Sequence, residues 1–138
     1  MRRPVALVGA VLTVLAMGVL TYKGATARES LGAELVEAVP VWAEKQGFAG
    51  DKQATDGAVI FAKAGCGACH TYLNAGASNV GAPDLSDIGD GGRDADYFAR
   101  YVANPSEFGN SVMPQFKDLG DENLRKLAAF LVASKGPK

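Results

Sequence analysis

Cys66-Gly67-Ala68-Cys69-His70 constrains this chain more than any other stretch. It reads C-x-x-C-H and holds both cysteines and the one histidine among 138 residues. Two thiols three residues apart, with an imidazole directly behind the second, suit addition across the two vinyl groups of a haem, the histidine binding the iron from one side. Other uses of these residues fit less well. A disulfide between Cys66 and Cys69 would close too short a loop to staple anything. A dithiol redox centre wants a βαβ context, and no such pattern is present. A structural zinc site needs four ligands, usually Cys or His, and the chain has three such residues in all.

Residues 1–27 form the first of three expected segments. Arg2 and Arg3 precede an uncharged run from Pro4 to Tyr22, about 28 Å long as a helix and close to the hydrocarbon thickness of a bilayer. Two readings stay open. A signal peptide has a shorter apolar stretch followed by a small-x-small cleavage site, and Ala25-Thr26-Ala27 fits such a site. A membrane anchor needs a run near 20 residues, which this one approaches. Either way the arginines stay in the cytoplasm and the rest of the chain lies outside.

Residues 28–50 are expected to be an extracytoplasmic connector. Leu31, Leu35, Val36 and Val39 recur at helical spacing, and Pro40 should end that helix or restart the chain. Trp42, the only tryptophan, either packs on the following domain or meets a partner. Gly47 and Gly50 mark the boundary.

Residues 51–138 are expected to form the compact domain. Thr55 or Asp56 can cap a helix from about Gly57 to Ala64, Asp94 a second helix through Ala103, and Asp121 starts a third through Ala133 or Ser134. Leu124, Leu127, Ala128 and Leu131 make the buried stripe of the third, which Gly136 and Pro137 stop. Tyr72 to Ala82 reads as loose chain, and no strand pattern of any length is present. So small an all-α domain with long loops is thinly supplied with core, and a large flat apolar cofactor would fill the gap.

With His70 on one side of an iron, a second histidine is not available to the other. Met1 and Met17 lie in the N-terminal segment, which leaves Met113, in a loop before Pro114, as the remaining thioether. A buried methionine is more often core filling, and a lysine, water or an open position are the other choices. His/Met ligation raises the iron potential and closes both faces, which favours electron transfer over chemistry at the metal. A ligating histidine normally donates its other ring N–H to a carbonyl or carboxylate. Pro83, on the loop returning from His70, is a candidate for that carbonyl or else a plain turn proline.

Together these motifs resemble a class I monohaem cytochrome c of the bacterial type. The resemblance covers roughly Asp56 to Ser134: Gly57 and Phe61 ahead of C-x-x-C-H, Gly81-Ala82-Pro83-Asp84-Leu85 as a Gly-Pro-x-Leu segment with one inserted residue, Met113-Pro114 with Phe116, and Leu127, Phe130 and Leu131 on the last helix. It implies a small cytochrome c fold of three to five helices around one covalent haem c. It also implies thioethers at Cys66 and Cys69, His70 and Met113 as axial ligands, the Pro83 carbonyl on His70, Leu85 against the haem, and a close helix crossing at Gly57. Haem attachment to such motifs occurs on the outer face of the bacterial cytoplasmic membrane, so the domain is expected on the periplasmic side, single-pass if anchored and secreted if cleaved. The lysine ring of mitochondrial relatives is absent. Arg93 can pair with a propionate or stand as a solvated loop arginine.

Charge limits the partners. Four of the 14 basic residues (Arg2, Arg3, Lys23 and Arg28) precede the first acidic one, leaving ten against all 15 acidic residues, a net of −5 beyond Arg28. Such a domain is not drawn to nucleic acid or anionic lipid, and no small-molecule substrate is expected. The expected role is a one-electron carrier between a quinol-oxidising complex (a quinol:cytochrome c oxidoreductase) or dehydrogenase and a cytochrome c oxidase or similar terminal acceptor, and not an enzyme. The alternatives are a permanent cytochrome c subunit of a respiratory or photosynthetic complex and, less favoured, a haem enzyme or gas sensor.

Overall fold

The computed structural model describes residues 2–136, without the side chains of residues 2–6 and 28. Met1, the helix stop expected at Pro137, and the side chains of Arg2, Arg3 and Arg28 lie outside the described residues. Four helices account for most of the chain: α1 (Arg2–Gln46), α2 (Lys52–Lys63), α3 (Ala95–Ala103) and α4 (Asp121–Ala133). A hairpin of two-residue strands, β1 (Thr71–Tyr72) and β2 (Ala75–Gly76), pairs Thr71 with Gly76 and Tyr72 with Ala75. The all-α expectation therefore holds, with a minimal antiparallel ladder where only loose chain was expected. The chain divides into two compact units, Met1–Ser30 and Leu31–Lys138.

In the first unit the large apolar side chains from Leu7 to Tyr22 are exposed. Among the described residues one helical stretch, Leu7–Gln46, is long and apolar enough to cross a membrane. A helix apolar on all sides has no soluble face. Its hydroxyls bond inward: Thr13 Oγ1 donates to the Gly9 carbonyl at 2.9 Å and Thr21 Oγ1 to that of Met17 at 2.8 Å. A hydroxyl in hydrocarbon requires such a partner.

The second unit begins twenty residues earlier than expected. Leu35, Val39, Trp42, Ala43 and Phe48 are all buried in its core, so residues 31–48 belong to the domain and are no connector. Pro40 does not end the helix, for α1 runs through it to Gln46. Pro40 is exposed, so water can take the Val36 carbonyl that loses its amide partner, while buried neighbours on the opposite face hold the turn in place. Trp42 is a packing residue. Its ring lies 4.9 Å from that of Tyr72 and edge-on to Phe61 at 6.1 Å.

Asp51, four residues ahead of the expected cap, starts α2. Its carboxylate accepts from the amides of Gln53 and Ala54, which satisfies N-terminal donors that Thr55 and Asp56 lie too far along to reach. Asp94 caps α3 through the Tyr97 amide, as expected. α2 packs on α4 at Gly57, where an added Cβ would run into the Lys126 carbonyl and come within 2.8 Å of the Phe130 Cβ. Only glycine permits this crossing.

Tyr72 sits at the centre. It is fully buried, 4.8 Å from the Phe130 ring, with its hydroxyl 2.9 Å from Ser134 Oγ. Gln46 ties the end of α1 in place, donating to the Ser86 carbonyl at 2.8 Å and accepting from the Lys135 amide at 3.0 Å.

Two outcomes follow. The buried Leu, Val, Trp and Phe of residues 31–48 contribute about 1.5–3 kcal/mol each, together comparable to a whole domain stability of about 5–15 kcal/mol. A chain shortened to start at Asp51 is expected to lose cooperative thermal unfolding by circular dichroism, whereas one starting at Leu31 retains it.

Burial pushes the Tyr72 phenol up to about 12, against an ordinary value of 10.0, the Ser134 hydrogen bond countering only in part. Below pH 10 the phenol is protonated whether folded or unfolded, and its contribution is fully present. Between about 10 and 12 the unfolded chain ionises first, so stability falls as pH rises, by up to roughly 3 kcal/mol. Denaturant titrations across that window should show a steeper loss in the native protein than in Tyr72→Phe; equal slopes would contradict the assignment.

Candidate haem site

The chain around Cys66 is built by close backbone contact. Gly65 takes a left-handed conformation (φ +86°) that ends α2 and turns the chain into a single 3-10 turn, Cys66–Ala68. An added Cβ at Gly67 would collide with Leu35 of α1, so the N-terminal part of the domain presses directly on the motif. The following loop returns along it. The amide of Ala77 donates to Gly67 O at 2.8 Å, that of Asn79 to Cys69 O at 3.1 Å, and Asn79 Nδ2 to Ala68 O at 2.6 Å. The carbonyls of Gly67, Ala68 and Cys69 are thereby satisfied, and the side chains of Cys66, Cys69 and His70 are left free of them.

They face a cavity of about 470 Å³. Cys66, Cys69 and His70 line it together with Pro83 and Leu85 from the return loop, Tyr97, Tyr101 and Val102 of α3, Leu131 of α4, and Met113 and Phe116. Cys66, Cys69, His70, Pro83, Leu85 and Met113, the site residues expected from the sequence, therefore reach one cavity from three separate stretches of chain, with α3 and α4 supplying further wall. Val80 and Val112, both exposed, stand at its rim. Arg93 also lines it, with its guanidinium 4.9 Å from the centroid of the Tyr97 ring.

His70 Nδ1 lies 2.9 Å from the Pro83 carbonyl oxygen. A carbonyl only accepts, so Nδ1 carries the proton and donates, and Nε2 keeps its lone pair free. The Pro83 segment is itself clamped. Thr71 Oγ1 donates to Asp84 Oδ2 at 2.6 Å, and the Leu85 amide donates to Thr71 O at 3.0 Å. Burial raises the Asp84 carboxyl, but the hydrogen bonds it accepts from Ser86 and Thr71 outweigh that and hold it below the usual carboxylate range.

No disulfide joins Cys66 to Cys69. Burial pushes Cys66 up to about 11, so unreacted it is a neutral, apolar side chain. Among the described residues no three His, Cys, Asp or Glu side chains gather as a site for a metal ion. One imidazole, one thioether, two thiols and apolar walls instead suit a metal that arrives in its own flat macrocycle.

Several cavity residues were not singled out in the sequence. Tyr97, Tyr101 and Asn110 are among them. The one local signal for Asn110 is its type, since asparagine two or three residues ahead of a loop residue commonly caps that loop's amides.

A family model described as "Cytochrome C oxidase, cbb3-type, subunit III" matches residues 52–131, more than half of the chain and all of α2 and α3. No curated protein and no solved structure gives a significant match. A domain of this kind holds covalently bound haem c and transfers electrons through its iron. The chain thus belongs to the family described as cytochrome c oxidase, cbb3-type, subunit III, and is a c-type cytochrome.

Proposed function

We propose that the chain is a one-electron carrier whose haem c is held by thioethers at Cys66 and Cys69 and ligated by His70 and Met113. The observation that carries this reading is that these four side chains line a single cavity. Bound there, the haem supplies a reversible one-electron centre, and the protein's own residues do the rest. Pro83 holds the imidazole through Nδ1, which increases the basicity of the ligating nitrogen. Met113 would hold the iron through its thioether, a ligand that would raise the potential and leave no position for small molecules. Leu85, Ile88, Val102 and Leu131 give the cavity apolar walls. An exposed rim at Val80 and Val112 suits brief contact with a redox protein across a small interface.

In this reading residues 1–27 anchor the protein to the bacterial cytoplasmic membrane, with the haem domain on the periplasmic side. The all-round apolar surface and inward-bonded hydroxyls of that segment support an anchor. An anchor confines the search for membrane-bound donors and acceptors to two dimensions. Electrons would come from a quinol-oxidising complex or dehydrogenase and leave to a terminal oxidase.

The family description favours one further reading, a permanent haem subunit of a respiratory complex. Native sizing after mild detergent extraction separates the two. Migration alone supports the mobile carrier, and co-migration with other haem or copper subunits supports the fixed one.

The axial assignment predicts that Met113→Ala lowers the midpoint potential by on the order of 0.1 V, a fraction of the range that axial ligands span, and opens the reduced iron to carbon monoxide. Potentiometry and carbon monoxide titration read both. An unchanged potential removes Met113 from the ligand set.

A further inference from the structure

We propose that Asn110 is a positioning residue that holds Met113 at the iron. The inference rests on the axial role of Met113 given above. Met113 lies in an irregular loop, 110–116, with no helix or strand of its own. Besides the Asn110 amide on Pro105 O at 3.1 Å and a long contact from Gln115 Nε2 to Ser106 Oγ at 3.5 Å, the loop is pinned to α3 at two places. At its far end the Phe116 amide donates to Val102 O of α3 at 3.2 Å. At its near end Asn110 gathers three groups. Its Oδ1 accepts from the amides of Val112 at 3.0 Å and Met113 at 3.1 Å, and its Nδ2 donates to the Tyr101 hydroxyl at 2.8 Å. Two N–H donors on one side of the amide fix which end is oxygen.

Tyr101 is a firm support. Its ring stacks on Tyr97 at 5.8 Å and packs on Phe108 at 5.2 Å. A single side chain therefore links the backbone of Met113 to α3, and Tyr101, Asn110, Val112 and Met113 all line the same cavity.

The chemistry explains why such a link matters. A neutral thioether is a weak ligand and competes with exogenous ones only while its loop is held in place. Without Asn110 the Val112 and Met113 amides lose their acceptor, at about the net worth of one or two ordinary hydrogen bonds. The population with the sulfur displaced should rise by about tenfold.

The test uses the full-length holoprotein in four forms: native, Asn110→Ala, Asn110→Asp and Met113→Ala. The readouts are the sulfur-to-ferric-iron charge-transfer band and the rate of carbon monoxide binding to the reduced form. Asn110→Ala should weaken the band and speed carbon monoxide binding by about tenfold, with far-ultraviolet circular dichroism unchanged. Asn110→Asp keeps an oxygen for both amides, and the Tyr101 hydroxyl can turn to donate to the other, so it should restore the native band and rate. If Asn110→Ala binds no haem, Tyr101→Phe, which removes only the outer support, should show the same change at smaller size. A native band and rate in Asn110→Ala, beside clear changes in Met113→Ala, would overturn the positioning role and leave the axial assignment intact. Equal impairment in the alanine and aspartate variants would also overturn it. No change in Met113→Ala would overturn the axial assignment, and this inference with it.

Discussion

The hydrogen bond between His70 Nδ1 and the Pro83 carbonyl is the contact on which the site depends. It joins the C-x-x-C-H turn to the loop thirteen residues on, and it decides which imidazole nitrogen remains free. Much of the surrounding structure serves to hold those two stretches in register. Thr71 and Asp84 bridge the same pair of segments one residue further along. Ser86 carries the alignment onward, accepting from the Leu73 amide at 2.7 Å through its hydroxyl, and from Gln46 and Gly136 through its carbonyl. One short ladder of polar contacts thus connects the motif, the return loop, the end of α1 and the C-terminus.

Beneath that ladder lies an aromatic core that leaves the cavity free. Trp42, Phe61, Tyr72 and Phe130 pack against one another at 4.8–6.1 Å. α2 and α4 approach closely enough to support them because Gly57 has no side chain. The N-terminal twenty residues of this unit, including Leu35 and Trp42, supply core that so short a domain would otherwise lack. Leu35 packs directly on Gly67, against the wall of the proposed site.

Much of this was legible in the sequence because the residues involved are rare or carry unusual chemistry. One histidine, two cysteines and one domain methionine leave few arrangements, and a glycine among helix formers marks a close crossing. Asp94 marks its helix by capping it, and Asp121 stands as the first residue of α4. Pro40 misled, because its cost depends on whether neighbouring side chains hold the helix together, and that depends on a core the local sequence does not display. Tyr72 was hidden in a small-residue stretch that reads as loop; only the packing of α1, α2 and α4 around it makes it central. The role of Asn110 depends on a tyrosine nine residues away meeting it across a turn, a pairing without periodicity.

The central claim is that one cavity, with both thiols on its wall, holds a single covalent haem. Intact mass spectrometry of the membrane-extracted protein under denaturing conditions tests it most directly. The predicted result is a polypeptide carrying the added mass of one haem, lost when Cys66 and Cys69 are both replaced by alanine. A native polypeptide without that added mass, or one that keeps it after both replacements, would contradict the account.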